Sequence, residues 1–275
     1  MSNCFCGISY LKNACFCTKY IHNIVKSTNL GAKFEKTSHV QEKKLITETG
    51  NTVSVLIKFK IEGSLRYLSH AETLRLFQRA CTRAGVNLQY SQGFNPRPKL
   101  SLALPRSVGV ESDDEMLILR VQTASIEDAE SHSELQTIDT EELQTNLSRQ
   151  LPENCCLLSV TAGGTKGYPQ INAVTYVITL KPECLGEQMS ARIKQLSASE
   201  TLRLQRMDPK GNTREIDVRG FLKTIGLADN NIVIECKVSP SGTVRVDELL
   251  QLLHIEHRML AVPVKRTKIQ WHYRN

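Results

Sequence analysis

The order of apolar and polar positions predicts short strands and helices that begin near residue 53. Val53 to Ile61 alternates apolar and polar side chains towards its end, which is typical of a half-buried strand. Ser69 and Glu72 have the spacing of a capping box, so a helix is expected to start there and to end at Gly85. Its predicted buried stripe consists of Ala71, Leu74, Phe77, Cys81 and Ala84.

The segments after this helix complete a strand–helix–strand–strand–helix–strand order. Strands are predicted at 100–104, 116–121 and 155–161, and a helix at 140–151 with Thr140 as its N-cap. This order is that of the split βαβ, or ferredoxin-like, unit.

A similar order follows in the second part of the chain. Strands are predicted at 173–180, 201–206, 232–238 and 260–270, and helices at 184–196, 217–227 and 246–253. We therefore predict an α+β fold with two ferredoxin-like (βαββαβ) halves in tandem, at 52–162 and 168–275. The glycine-rich stretch 163–167 is predicted to link them.

Residues 1–51 differ from the rest, because they are polar and lack periodicity. They are predicted to form an extension with little packed structure. Four cysteines in two C-x-C steps make a weak zinc candidate, although the spacing is not that of a zinc ribbon. An unstructured tail is the alternative. These cysteines are Cys4, Cys6, Cys15 and Cys17.

The composition is that of a soluble cytoplasmic protein, with 40% apolar and 23% charged residues. No apolar run is long enough for a transmembrane helix, and the N-terminus has no secretory signal pattern, so no membrane partner is expected. The nine cysteines are an odd number and fit reduced thiols better than a disulfide framework.

Charge is unevenly distributed along the chain. From residue 58 to 106 there are nine basic and two acidic residues, a net +7 that equals the charge of the whole protein. From 111 to 153 there are twelve acidic and two basic residues, a net −10. One interpretation is a molecule with a basic surface for a polyanion and an acidic surface for a protein; the other is that these charges interleave after folding.

The stretch Tyr90 to Lys99, YSQGFNPRPK, is the most informative part of the chain. It contains too many glycines and prolines to be a helix or a strand, and two prolines make it stiff. A stiff loop with aromatic rings and cations can stack bases and bind phosphates. The alternative is a stiff connection in which Tyr90 and Phe94 pack at the edge of the core and the arginines are only solvated. Arg75, Arg79 and Arg83, which lie one helical turn apart on the preceding helix, would add phosphate contacts. The predicted nucleic-acid-binding residues are Arg66, Arg75, Arg79, Arg83, Tyr90, Gln92, Phe94, Asn95, Arg97 and Lys99.

These motifs also carry a family resemblance. Together with the stretches 63–70, GSLRYLSH, and 104–112, LPRSVGVES, the loop resembles the bacterial radical-SAM-linked domain family, over about residues 53–270. The resemblance implies a domain that is fused to radical SAM proteins or encoded beside them. The chain has no C-x₃-C-x₂-C cluster motif, so it would be the companion and not the radical-generating enzyme.

His70 is the only candidate catalytic residue. As a neutral histidine at a helix N-terminus it could act as a general base on a ribose hydroxyl, or it could simply bond the following loop. No complete catalytic constellation accompanies it, so enzymatic activity is uncertain and no cofactor is expected.

Three functions remain open at this point. The first is an RNA-binding or substrate-presenting partner of a radical SAM modification enzyme, which would bind a structured RNA. The second is a metal-independent endoribonuclease that uses His70, and the third is a protein–protein adaptor. The C-terminal stretch Lys265 to Arg274 alternates basic and apolar residues and is predicted to be a basic edge strand.

Overall fold

The computed structural model describes residues 52–122, 138–163, 169–207 and 211–272. Within these ranges the fold is mixed α+β, as predicted, with a large sheet and few helices. None of the helices in the described part of the chain has the length and apolar character to cross a membrane. The predicted extension 1–51, with Cys4, Cys6, Cys15 and Cys17, lies outside the described residues.

The first part of the chain forms four strands and two α-helices in the predicted order. A 3₁₀ turn, η1 at Gly63–Tyr67, precedes the first helix. In chain order the other elements are β1 at Thr52–Ile61, α1 at His70–Arg83, β2 at Leu100–Leu102, β3 at Glu111–Gln122, α2 at Thr140–Ser148 and β4 at Cys155–Gly163.

The second part contains six strands and two α-helices in the described residues. They are β5 at Gln170–Thr179, α3 at Glu187–Ala198, β6 at Arg203–Met207, β7 at Thr213–Asp217, β8 at Leu222–Ala228, β9 at Asn231–Lys237, α4 at Val246–Leu252 and β10 at Lys265–His272.

One eight-stranded sheet runs through both parts in the order β4-β1-β3-β10-β5-β9-β8, and β2 pairs with β3 beside this path. Every pairing is antiparallel except that of β10 with β3, which is parallel and matches Lys265 with Glu111 and Arg266 with Ser112. Strand β10 therefore joins the two parts.

Among the described residues, buried apolar side chains form two clusters, one for each part of the chain. In the first, strand residues such as Ile57 and Leu117 pack against Phe77 of α1, and the Phe59 and Phe77 rings meet edge to face at 4.6 Å. In the second, residues such as Ile178 and Ile234 pack against α3 and α4. Leu104 and Val110, which precede β3, belong to this second cluster.

Helix α1 begins and ends where its sequence signals predict. Ser69 accepts a hydrogen bond from the Glu72 amide, and the Glu72 carboxylate accepts one from the Ser69 amide at 2.8 Å, which completes the capping box. Gly85 follows the helix with a φ of +70°, a left-handed conformation that glycine adopts without a Cβ penalty. Of the predicted stripe, Phe77 and Cys81 are buried, Leu74 and Ala84 are partly buried against the same core, and Ala71 is exposed. The helix also buries Thr73 and Ala80.

Several predicted elements are wrong in type or place. The helix predicted at 217–227 is a 3₁₀ turn followed by β8, whose backbone pairs with β9. Strand β6 does not join the main sheet but pairs with β7 in a separate two-stranded sheet. Asp139, not Thr140, caps α2, because its carboxylate accepts from the amides of residues 141 and 142.

The C-terminal strand is also placed differently from the prediction. Residues 265–272 form β10, which lies inside the sheet between β3 and β5 and is not an edge strand. Of its basic residues, Arg266 is fully buried against Glu115, Lys265 is half-buried and Lys268 is exposed.

Candidate nucleic-acid interface

Residues Tyr90–Lys99 form a hydrogen-bonded spur that leaves the sheet beside β3. At its base the Lys99 amide donates to the Gln89 carbonyl at 2.7 Å, and the Ser91 amide donates to the Arg97 carbonyl at 2.8 Å. The Ser91 hydroxyl accepts from the Arg97 amide at 3.0 Å. These hydrogen bonds hold the two arms of the spur together, so the tip projects from a braced base.

The tip of the spur carries its aromatic and polar side chains into solvent. Phe94 has 105% of the reference exposure of its residue type, and Tyr90 has 43%. Gly93 turns the chain at the tip with a φ of +126°, a backbone conformation that residues with a side chain rarely adopt. The other exposed tip residues are Gln92, Asn95 and Arg97, while Lys99 is half-buried at the base. Because the Phe94 ring is completely exposed, it has no packing role within the described part of the chain.

The three helix arginines line a separate groove, which we call the arginine groove. It has a volume of about 670 Å³ and lies between η1, helix α1 and the segment that follows α2. Arg75 and Arg79 are exposed, and Arg83 donates from Nη2 to the Gln150 carbonyl at 2.9 Å. The groove is lined by Leu65, Leu68, Glu72, Arg75, Leu76, Arg79, Arg83, Gln150, Leu151 and Pro152.

The structure does not bring the spur and the helix arginines together in this groove. No residue of the spur is among the described residues that line it. The sequence analysis predicts one nucleic-acid-binding set made of the α1 arginines and the spur, whereas among the described residues only the arginines line this groove.

Arg66, a predicted nucleic-acid-binding residue, forms a stacked pair with Tyr67. The Arg66 guanidinium lies 4.4 Å from the centre of the Tyr67 ring, donates to its hydroxyl at 2.8 Å and donates to the Gly63 carbonyl at 2.7 Å. Tyr67 is 56% exposed and was not predicted as a site residue. Its place beside Arg66 in the GSLRYLSH stretch is the signal that could have identified it.

Arg106 holds η1 in place from within the protein. Its guanidinium donates to the carbonyls of Arg66 at 2.7 Å and Leu68 at 3.2 Å, and also to that of Val110. Gly63 donates its amide to Glu111 at 3.0 Å. Burial lowers the pKa of Arg106 to about 10, so the guanidinium stays charged at neutral pH. The 104–112 stretch thus holds the 63–70 stretch in place through these hydrogen bonds.

Below η1 lies a small cavity with polar walls. Its volume is about 10 Å³, and its polar lining residues are His70, Thr73, Arg106 and Glu115. Glu115 accepts two hydrogen bonds from Arg266, both partners being almost completely buried. No local pattern predicts that Glu115 and Arg266 meet, since they are 151 residues apart.

His70 is part of this buried cluster, which does not support its use as a general base on RNA. Both of its ring nitrogens are shielded from solvent. Burial lowers the pKa of His70 from its usual range, and the Glu115 carboxylate opposes this effect. A ribose hydroxyl would need direct access to a ring nitrogen, and neither nitrogen is exposed to solvent.

The basic and acidic stretches interleave where the structure describes them. Lys58 of β1 lies 3.4 Å from Asp114 of β3, and Lys60 lies 3.9 Å from Asp113. Lys265 of β10 lies 3.5 Å from Asp113. Neighbouring strands therefore mix the two signs across this part of the sheet, and the prediction of two oppositely charged sides is not supported for these residues.

The described residues offer no cluster of three or more histidine, cysteine or acidic side chains that could bind a metal ion. Cys81, Cys155 and Cys236 are buried, and burial raises the pKa of each thiol to about 12, so they are poor nucleophiles and ligands at neutral pH.

Comparison with known proteins gives one informative match. The profile of a family described as an uncharacterized protein conserved in bacteria (DUF2344) matches residues 54–247, which is more than half of the chain. This agrees with the expected bacterial domain family, although the description does not mention radical SAM proteins. No curated protein matches the chain.

A solved structure also aligns with the chain, but weakly. The crystal structure of the acetolactate synthase small subunit from Thermotoga maritima is 10% identical, and the alignment covers 82% of this chain and 98% of that one. The TM-score is 0.22, which is too low to support a conclusion on fold or function.

Proposed function

The chain belongs to the bacterial family DUF2344, and from this membership and the exposed spur we propose that it is an RNA-binding companion of a radical SAM modification enzyme. The exposed Phe94 ring at the tip of a braced loop is the observation that carries the RNA-binding part. The radical SAM part is supported by the resemblance of the 63–70, 90–99 and 104–112 stretches. The protein would act in the cytoplasm without radical chemistry of its own.

The proposal places unpaired bases on the rings of Phe94 and Tyr90. Base–aromatic stacking is worth about 1–3 kcal/mol per base and tolerates any sequence, because every base has a flat face. Arg97 and Lys99, which flank Pro98, are suited to the phosphates beside the stacked bases. Gln92 and Asn95 are exposed at the same tip and can hydrogen-bond base edges.

We further propose that each part of the chain is a ferredoxin-like unit. The strand order is β4-β1-β3-β2 in the first part and β10-β5-β9-β8 in the second. In both parts the first strand lies next to the last strand on one side, and on its other side lies the strand that pairs with the remaining edge strand, which supports this proposal. In such units RNA often binds the open face of the sheet through aromatic residues. Phe59 packs against Phe77 of α1 and Tyr176 lies in the second core, so neither ring is offered on an open sheet face, which favours the spur as the stacking site.

The test is fluorescence anisotropy with a labelled single-stranded RNA of mixed sequence at about 50 and 200 mM salt. Phe94→Ala is expected to weaken binding about 5- to 150-fold, and Arg97→Ala to weaken it and reduce the salt slope by about 1. Arg203→Ala, which removes an exposed arginine from the separate β6–β7 sheet, is the matched control. Absence of binding at low salt, or an equal loss in the control, would refute the proposal.

The companion role is tested separately. Cells that contain a radical SAM protein encoded beside this gene should yield a complex of the two proteins that survives nuclease treatment. RNA binding without such a complex would retain the RNA-binding part of the proposal and remove the companion part.

A further inference from the structure

The arginine groove combines an apolar floor with a basic rim. Leu65, Leu76 and Leu151 are half-buried, because one side of each packs on the first core and the rest faces the groove. Leu68 and Pro152 complete the apolar lining. A contiguous apolar surface with a polar rim is typical of an interaction site, and its volume of about 670 Å³ lies in the range of binding clefts.

The arginines of the basic rim are spaced by one helical turn. Arg75, Arg79 and Arg83 follow each other every four residues on α1, so their Cα atoms are about 6 Å apart along the axis. Carboxylates at every fourth position of a second helix have the same spacing. All three arginines are exposed, and Arg83 already donates to the Gln150 carbonyl, so Arg75 and Arg79 are the rim cations better placed for the carboxylates of a partner.

Glu72 offsets only part of this basic rim. Its carboxylate accepts hydrogen bonds from the amide and the hydroxyl of Ser69 at 2.8 and 2.6 Å. These bonds, together with the nearby charge of Arg75, lower the pKa of Glu72, so its carboxylate stays negative at the start of α1. The described lining therefore has three guanidinium groups against one carboxylate that is already used in capping.

From this combination we propose that the arginine groove is the docking site for an acidic amphipathic helix of a partner protein. Leucine side chains of such a helix would fill the apolar floor, and its carboxylates would pair with Arg75 and Arg79. RNA fits the groove less well, since its described lining contains aliphatic side chains but no aromatic ring on which a base could stack. The site is distinct from the spur, so it extends beyond the RNA-binding function.

The probe for this site is a fluorescein-labelled helical peptide with glutamate at every fourth position and leucine on the adjacent stripe. We expect it to bind the full chain, and Arg75→Glu/Arg79→Glu to weaken binding by more than about tenfold. The control is Arg203→Glu/Arg214→Glu, which makes the same charge change on the separate β6–β7 sheet and should leave the affinity unchanged.

A charge swap separates specific docking from a general loss of positive charge. A peptide with lysine in place of each glutamate should bind the Arg75→Glu/Arg79→Glu variant and not the unmodified chain. Replacing the peptide leucines by alanine should also abolish binding without any change to the protein.

Three outcomes would overturn the proposal. The first is no peptide binding by the unmodified chain, and the second is equal binding by both double variants. The third is loss of RNA binding in Arg75→Glu/Arg79→Glu while Phe94→Ala binds RNA normally. That last result would assign the groove to RNA and would also remove RNA from the spur, whereas failure at the groove alone leaves the spur proposal standing.

Discussion

At the scale of single residues, the buried ion pair between Glu115 and Arg266 is the strongest polar feature of the described structure. Both side chains are almost fully excluded from solvent. Two buried charges lose hydration, and their mutual attraction repays this cost only while both are present. Removing one member of the pair is therefore costly, because it leaves the other charge buried without a partner.

Glu115→Gln is predicted to lower the free energy of unfolding by about 3–5 kcal/mol, because it leaves the Arg266 charge buried with a neutral partner. Urea unfolding followed by Trp271 fluorescence measures this value. The control, Glu215→Gln, removes one partner of an exposed pair with Arg203 and is expected to cost less than about 1 kcal/mol. Equal effects of the two substitutions would mean that the buried pair is not coupled to folding.

His70 gives the protein a predicted pH dependence of stability. Its folded-state pKa is lowered, so in mildly acidic solution the unfolded chain binds a proton more readily than the folded chain. The contribution of His70 is complete above its ordinary pKa of about 6.5 and is lost as the pH falls through the lower folded-state pKa. Stability should therefore decrease on acidification below about pH 6.5.

The measurement is the free energy of unfolding from urea titrations between neutral and mildly acidic pH. His70→Gln should flatten the slope in this window, whereas His272→Gln, at an exposed position of β10, should leave it unchanged. An identical slope in the His70→Gln variant would show that burial of this ring does not control the acid response.

At the scale of elements, the turn between β1 and η1 depends on Gly63. Its φ is +59°, and a Cβ at this position would lie 2.6 Å from the side-chain nitrogen of Asn154. Gly63→Ala is predicted to cost about 1–2 kcal/mol, chiefly through the left-handed backbone, because the Asn154 amide can rotate away. Thermal or urea unfolding provides the measurement.

Two comparisons test this cause. Adding Asn154→Ala to Gly63→Ala should recover only a minor part of the loss. Gly226→Ala, at an open position of edge strand β8 without a positive φ, should be neutral or slightly stabilising. Full recovery in the double variant would indicate that the contact, and not the backbone, sets the cost.

The elements with local signals were predictable from the sequence, and those that depend on distant partners were not. Strand β1, helix α1 with its capping box and the terminal Gly85 follow from spacing alone. By contrast, residues 217–227 have apolar side chains at helical intervals, and only pairing with β9 makes most of this stretch a strand. Local periodicity cannot report a partner strand.

The candidate site shows the same division. The glycine- and proline-rich composition predicted a stiff loop at Tyr90 to Lys99, but it left open whether the Phe94 and Tyr90 rings face solvent or pack at the edge of the core. The separation of the spur from the arginine groove, and the roles of Arg106 and Glu115, depend on the tertiary fold. Arg106 was part of a recognisable stretch, but nothing in that stretch indicates that its guanidinium binds the carbonyls of η1.

At the scale of the whole molecule, strand β10 couples the two cores. It pairs with β5 along most of its length and with β3 at Lys265 and Arg266. The Ile269 amide donates to Asp114 of β3 at 3.0 Å, and Ser112 donates to the Arg266 carbonyl at 3.3 Å. Unfolding of either part would expose the buried ion pair, so the two parts are expected to unfold together.

Trp271 makes this coupling measurable, because it is the single tryptophan of the chain and packs against the second core. Urea transitions followed by Trp271 fluorescence and by far-UV circular dichroism should coincide in the unmodified chain. Arg266→Met should separate them, since it leaves the Glu115 carboxylate unpaired in the first part while an apolar side chain fills the second. The circular dichroism should then change first, at lower urea. Coincident curves in this variant, or separate curves in the unmodified chain, would show that the ion pair does not join the two folding units.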